Sequence, residues 1–168
     1  MRLILLRHGV AEVRRPGLDD ADRKLTDAGV LRTRQAVRGL AAYLKHIDAP
    51  PDAVLTSPKR RARETAELFC ESAGGSFSLC DALGTGALDR VIAVLAERDE
   101  QTIALVGHEP QLSMLAERLC GARELSFIEL KKAGAVVLRI HSLNSEAPWS
   151  TLEALLPPRA LRGYAPNP

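Results

Sequence analysis

Aromatic side chains are scarce in this sequence: three Phe, two Tyr and one Trp, or 4% of 168 residues. Proteins that hold single-stranded nucleic acid stack its bases on such rings, so nucleic acid is not expected as a partner. Cysteine is scarcer. Cys70, Cys80 and Cys120 are odd in number, widely spaced and without a CxxC pair. They supply neither a disulfide framework nor a thiolate metal site, and free buried thiols in a reducing, cytoplasmic setting are expected. The opening apolar run, Leu3 to Leu6, ends at Arg7. It is too short for the core of a secretion signal or for a membrane span. Nor is one sign of charge in excess, since 23 Lys and Arg face 21 Asp and Glu for a net of +2.

What is present is the composition of a globular chain, 46% hydrophobic and 26% charged, and a length that suits one domain. The charge is unevenly laid out. Residues 1–63 hold 14 Lys and Arg against 7 Asp and Glu, a net of +7, which leaves −5 for the remainder. A basic front half suits an anionic ligand, and with so few rings a small phosphate-bearing one fits better than nucleic acid.

Apolar patterning alternates strands with helices. Arg2–Leu6 reads as a strand buried on both faces. Val13–Lys24 is a polar loop. Thr26 reads as a helix N-cap followed by Asp27 in the first turn, and Val30, Val37, Leu40, Ala41 and Leu44 keep helical spacing until Ala49-Pro50-Pro51. Ala53–Thr56 predicts a second strand. Ser57-Pro58 reads as an N-cap with proline at the first helical position, opening a helix to about residue 72 with Ala62, Ala66, Phe69 and Cys70 inward. A short strand over Phe77–Cys80, a helix around Leu88–Leu95, a buried strand over Thr102–Val106 and a helix over Leu112–Leu119 follow. Two strands, Ala135–Ile140 and Trp149–Leu155, end the pattern. The stretch 157–168, with four prolines, is expected to be irregular. The alternation argues for an α/β sandwich around a mostly parallel sheet.

Ligands of such sheets bind beyond the carboxyl ends of the strands. Three strands run out there into Arg7-His8-Gly9, into Ser57-Pro58 with its arginines, and into Gly107-His108. A phosphoryl dianion wants planar bidentate donors; Arg7 and one arginine of the Arg60, Arg61, Arg63 group could clamp it. A neutral imidazole in line with phosphorus could attack it and form a phosphohistidine. Flanking guanidinium groups would hold that imidazole below its usual pKa of about 6.5. A second imidazole would donate to the equatorial oxygens, and Gly9 lets the backbone approach the anion. His46 and His141 lie at element ends and read as structural or solvent-facing. A zinc site from His8 and His108 lacks acidic or Cys partners at recognisable spacing, so no metal and no cofactor is expected.

These motifs resemble the histidine phosphatase, or phosphoglycerate-mutase-like, superfamily. Leu6-Arg7-His8-Gly9 is similar to its signature and Leu25-Thr26-Asp27-Ala28-Gly29 to its L-T-x-x-G helix entry. Ser57 to Thr65 matches S-P-x-x-R-A-x-x-T, which selects Arg61, and Gly107-His108-Glu109-Pro110 matches G-H-x-P. Short length and no room for a large lid insertion look most like the SixA-type phosphohistidine phosphatases. The resemblance implies a three-layer α/β/α domain over residues 1–156, His8 as nucleophile, and Arg7, Arg61, His108 and Gly9 around the phosphate, with no metal.

One departure bears on substrate. Larger members carry an acidic general acid after the third strand, whereas Ala82-Leu83-Gly84-Thr85-Gly86-Ala87 has none and Asp81 only borders it. Losing a general acid costs an ester about 10²–10⁴-fold. A phosphohistidine leaves as neutral imidazole and needs less help, so the sequence tilts toward P–N cleavage in a partner protein. The rival is a phosphomonoesterase on a small phosphorylated metabolite, with Asp81, Glu12 or Glu109 as acid. A non-catalytic phosphate-binding module is the rival of another class. A mutase would leak its intermediate to water through a lidless site.

Overall fold

One sheet of six strands organises the computed structural model, which describes residues 1–122, 127–143 and 149–165. The strands are β1 (Arg2–Arg7), β2 (Ala53–Thr56), β3 (Phe77–Leu79), β4 (Thr102–Gly107), β5 (Ala135–Ser142) and β6 (Trp149–Leu156). Their order across the sheet is β3-β2-β4-β1-β5-β6. The first four run parallel, β5 pairs antiparallel with β1, and β6 antiparallel with β5. The mostly parallel α/β sandwich read from the sequence is therefore what forms.

Two apolar layers flank the sheet. β1 shows how, because alternate side chains of a strand face opposite ways. Ile4 and Leu6 join a core with Val37, Leu40, Ala66 and Phe69 from α1 (Asp27–His46) and α2 (Arg60–Ala73). Leu3 and Leu5 join the other, with Leu83, Val91, Leu95, Leu112 and Leu115 from α3 (Ala82–Thr85), α4 (Leu88–Ala96) and α5 (Gln111–Leu119). β1 and β4 are covered on both faces, which is why each reads as an unbroken apolar run. Thr26 caps α1 as expected, its hydroxyl oxygen accepting from Gly29 N–H. Among the described residues no helix is long and apolar enough to cross a membrane.

The end of the chain departs from expectation. Residues from 157 onward, expected to be irregular, form α6 (Pro158–Tyr164), with Pro158 in its first turn. Residues 166–168 lie outside the described ones. Two features make the helix worthwhile: Leu161 is 1% exposed in the α1 and α2 core, and Gly39 of α1 lets it close in. A Cβ on Gly39 would lie 1.8 Å from the Leu161 carbonyl oxygen. Proline at the start of a helix costs no hydrogen bond, since the first N–H groups have no intrahelical partner.

Candidate active site

Strand register sets the site. Arg7 of β1 lies beside Gly107 of β4, and His8 N–H continues the ladder by donating to the Gly107 carbonyl at 3.0 Å. The residues just past the two strands, His8 and His108, are thus neighbours, with ring centroids 5.0 Å apart and planes tilted by 56°. Ser57, past β2, donates its N–H to Val106 at 3.0 Å. The loop 127–134 closes the other side. Arg7 Nη1 donates to the Leu130 carbonyl, and Ala133 N–H donates to the carbonyls of Arg7 (3.1 Å) and His8 (3.2 Å).

His8 is 7% exposed, and its Nδ1 lies 2.7 Å from the Gly9 carbonyl oxygen. A carbonyl only accepts, so Nδ1 carries the proton and Nε2 keeps its lone pair. Burial, then His108, then Arg61 and Arg7 bring the His8 pKa down to about 3. His108 is lowered to about 3 as well, again by burial first and by Arg61 and Lys59 next. The sequence reading named the guanidinium groups as the cause; they act in the expected direction, but loss of solvent is the larger effect. Both imidazoles are neutral at neutral pH.

Arg61 is the arginine of its cluster that turns inward. It is 5% exposed, whereas Arg63 is exposed and Arg60 pairs on the outer face with Glu64 at 2.8 Å. Thr65, one turn on, donates its hydroxyl to the Arg61 carbonyl (2.7 Å) and accepts Gly9 N–H (3.1 Å). That ties α2 to the backbone after His8. Gly9 has no room for a side chain, since its Cβ would meet Thr33 Oγ1 at 2.0 Å. Arg7 Nε, Arg61 Nε and His108 Nδ1 are all buried without a hydrogen-bond partner. Orphaned polar groups of this kind are uncommon. Two guanidinium groups and an imidazole that share unmet hydrogen-bonding capacity suit an anion with several oxygens.

Ser57 corrects one expectation. It is not the N-cap of α2: that helix starts at Arg60, Lys59 holds the cap position, and no side chain caps it. The strand ladder fixes Ser57 instead, fully buried, with Oγ 2.8 Å from His108 Nε2. Ser57 Oγ also accepts Lys59 N–H at 3.4 Å, so its own proton is free to donate to His108. Nothing in the spacing of Ser57-Pro58 distinguished an orienting hydroxyl from a cap.

Asp20 was absent from the sequence reading altogether. It lies in a three-ten turn, Asp20–Asp22, within the loop before α1. Its carboxylate meets Arg23 Nη1 (2.7 Å), Arg61 Nη2 (3.0 Å), Arg14 Nε (3.1 Å) and Lys59 Nζ (3.2 Å). These cations hold its pKa well below the usual carboxylate range. The excess of basic residues in the front half was legible; the acid they gather on was not.

The candidate acids fall in different places. Asp81 is exposed before α3 and lines a hollow with Arg90 and Arg98. No described hydrogen bond or ion pair joins it to His8, His108, Arg7 or Arg61. Glu12 Oε2 accepts Lys24 N–H at 3.2 Å. Glu109, next to His108, has Oε1 buried and unpartnered. His46 and His141 are engaged elsewhere, near Tyr164 and stacked on Trp149.

A sequence profile described as the histidine phosphatase superfamily (branch 1) matches residues 3–84. An uncharacterised protein of Picosynechococcus is 33% identical over 144 residues, covering 83% of this chain and 85% of its own. The crystal structure of an Agrobacterium tumefaciens protein designated phosphohistidine phosphatase SixA is similar, with a TM-score of 0.75 and 26% identity over 92% of this chain and 96% of that one. An Escherichia coli protein designated an alpha-ribazole-5'-P phosphatase shares the fold at a TM-score of 0.74, with 22% identity over 94% of this chain and 98% of that one.

Proposed function

The chain belongs to the histidine phosphatase superfamily, and from that premise we propose that it hydrolyses phosphohistidine in a partner protein through a transient phosphohistidine on His8. Nε2 of His8 attacks phosphorus while Arg7, Arg61 and His108 take up charge on the equatorial oxygens. The P–N bond to the substrate imidazole breaks, and that ring leaves neutral because its far nitrogen carries a proton. Water then attacks the phosphoryl group on His8. The Gly9 carbonyl keeps a proton on Nδ1 of His8, so His8 also leaves as a neutral ring. Neither leaving group needs a separate acid, and the positive charge for both steps comes from protein side chains.

The observation that carries the P–N preference is the character of α3. A Cβ on Gly84 would lie 3.6 Å from Ser57 Oγ, and Ser57 reaches His108. This segment passes beside the site with Ala, Leu, Gly and Thr side chains only. An alkoxide leaving group would find no carboxylic acid on it to supply a proton, at a cost of about 10²–10⁴-fold. Likeness to the Agrobacterium protein supports the same choice.

The test compares rates on a phosphohistidine-bearing protein and on phosphoimidazole with rates on a panel of phosphomonoesters, for wild type and His8→Ala. The expected result is a preference for P–N substrates of at least about 10²-fold, abolished in the variant. Preference for one ester would move the assignment to a metabolite phosphatase, with Glu109 the first acid to replace.

A further inference from the structure

The loop between His8 and α1 is pinned at its base and held at its tip by one residue, through both its main-chain carbonyl and its carboxylate. At the base, Ala11 bridges Leu25, and Glu12 N–H donates to the Lys24 carbonyl at 2.9 Å. Beyond it, residues 13–22 bond among themselves through Leu18 to Arg15, Asp22 to Asp19 and Arg14 to Asp20. Every described hydrogen bond and ion pair from this tip to α2 and the residues leading into it is made by Asp20. Its carbonyl and its Oδ2 accept from Nη1 and Nη2 of Arg61, and Oδ2 accepts from Lys59. Arg61 is the arm of the proposed phosphoryl clamp contributed by α2.

A carboxylate and a phosphoryl group ask the same thing of a guanidinium, two parallel N–H donors in one plane. Asp20 takes one hydrogen bond from each terminal nitrogen of Arg61, at its main-chain carbonyl and at Oδ2, while Arg61 Nε has no partner. A second anion on the same fork would be set against the first beside a guanidinium that is itself buried, although Asp20 is partly exposed. The tip also has space beside it, an open hollow of about 570 Å³ lined by Arg14, Arg15, Pro16, Leu18 and Asp20. We propose that Asp20 is an internal anion that occupies the Arg61 arm until a phosphoryl group displaces it, so that filling the site releases the tip of the 13–22 loop from α2. Asp20 then sets how tightly the clamp holds phosphate and speeds its departure after hydrolysis. Arg14 ion-pairs with it from the tip and travels with it, whereas Arg23, whose Nε donates to the Glu12 carbonyl, pairs with it from the pinned base.

This inference rests on the phosphatase reading, and the test separates the two. Inorganic phosphate is titrated calorimetrically into the full chain as wild type, Asp20→Asn, Asp20→Ala and Asp22→Asn. Both Asp20 variants are expected to bind about tenfold tighter, the equivalent of one lost ion pair in competition. Asp22→Asn, which removes a neighbouring charge that does not touch Arg61, is expected to change affinity by less than about threefold. Amide hydrogen exchange supplies a readout that charge alone would not move. Saturating phosphate should speed exchange in residues 13–22 of wild type, and Asp20→Asn should show fast exchange there without phosphate. Slower exchange on phosphate binding, or weaker binding by the Asp20 variants, would overturn the inference and make Asp20 a positioning residue for Arg61. Unchanged binding by those variants overturns it equally. Wild type that binds no phosphate removes the phosphatase reading and the inference with it.

Discussion

Three arginines stand within four residues at the start of α2, and only the middle one is buried. On a helix, neighbours one and two positions apart point to different faces, so Arg60 goes to Glu64 at the surface and Arg61 goes to the strand ends. Arg61→Ala should therefore lower kcat/KM by about 10²–10³-fold, the loss seen when one charge-stabilising donor is removed from a transition state. Arg60→Ala and Arg63→Ala should stay within about threefold, as exposed charges do. Steady-state kinetics on phosphoimidazole decides this, and equal losses across the three would mean that a different arginine faces the phosphoryl group. The sequence motif pointed to Arg61, and its burial agrees. Ser57 was quoted in the same motif, yet its contact with His108 depends on how β2 and β4 lie side by side, which no local spacing encodes.

At the scale of elements, the long apolar strands and the capped helix α1 were readable because their own residues carry the signal. α6 was not. Its sequence is short and proline-led, and its one buried residue, Leu161, packs against a glycine more than a hundred positions earlier, with Tyr164 edge-on to Tyr43 beside it. Gly39 makes a sharp test of that contact. Alanine is the better helix former by about 1 kcal/mol, so helix propensity alone would make Gly39→Ala stabilising. Its Cβ, however, would meet the backbone of Leu161 at 1.8 Å, and α6 would have to shift. The expected outcome is destabilisation by about 1–3 kcal/mol, the usual cost of overpacking, measured by chemical denaturation. A gain in stability would mean that α6 does not rest on α1. Asp20 was hidden for a related reason: a polar loop residue shows no pattern, and its importance comes from cations contributed by two different segments.

For the molecule as a whole, the two buried imidazoles link stability to pH. Each titrates near 3 in the fold and near 6.5 in the unfolded chain, so unfolding takes up protons below pH 6.5. Stability is then complete above that pH and declines as pH falls from 6.5 toward 3. Between pH 7 and pH 5, His8 alone accounts for a loss of about 2 kcal/mol. His8→Ala should flatten this limb of the stability curve by about that amount, read from denaturant midpoints at the two pH values. An unaltered slope would show that His8 is not held neutral by the fold.

The same long-range assembly has a consequence for how the protein comes into being. All four residues of the proposed site, Arg7, His8, Arg61 and His108, lie within the first 108 positions, but Arg7 is anchored by Leu130, and Ala133 closes on the carbonyls of Arg7 and His8. β1 also lacks one neighbour until β5 pairs with it. A nascent chain that has left the ribosome only as far as His108 thus carries every residue of the proposed site without the segment that encloses them. Synthesis must run on through β5 before His8 has walls around it, so the imidazole proposed to react is made early and enclosed late.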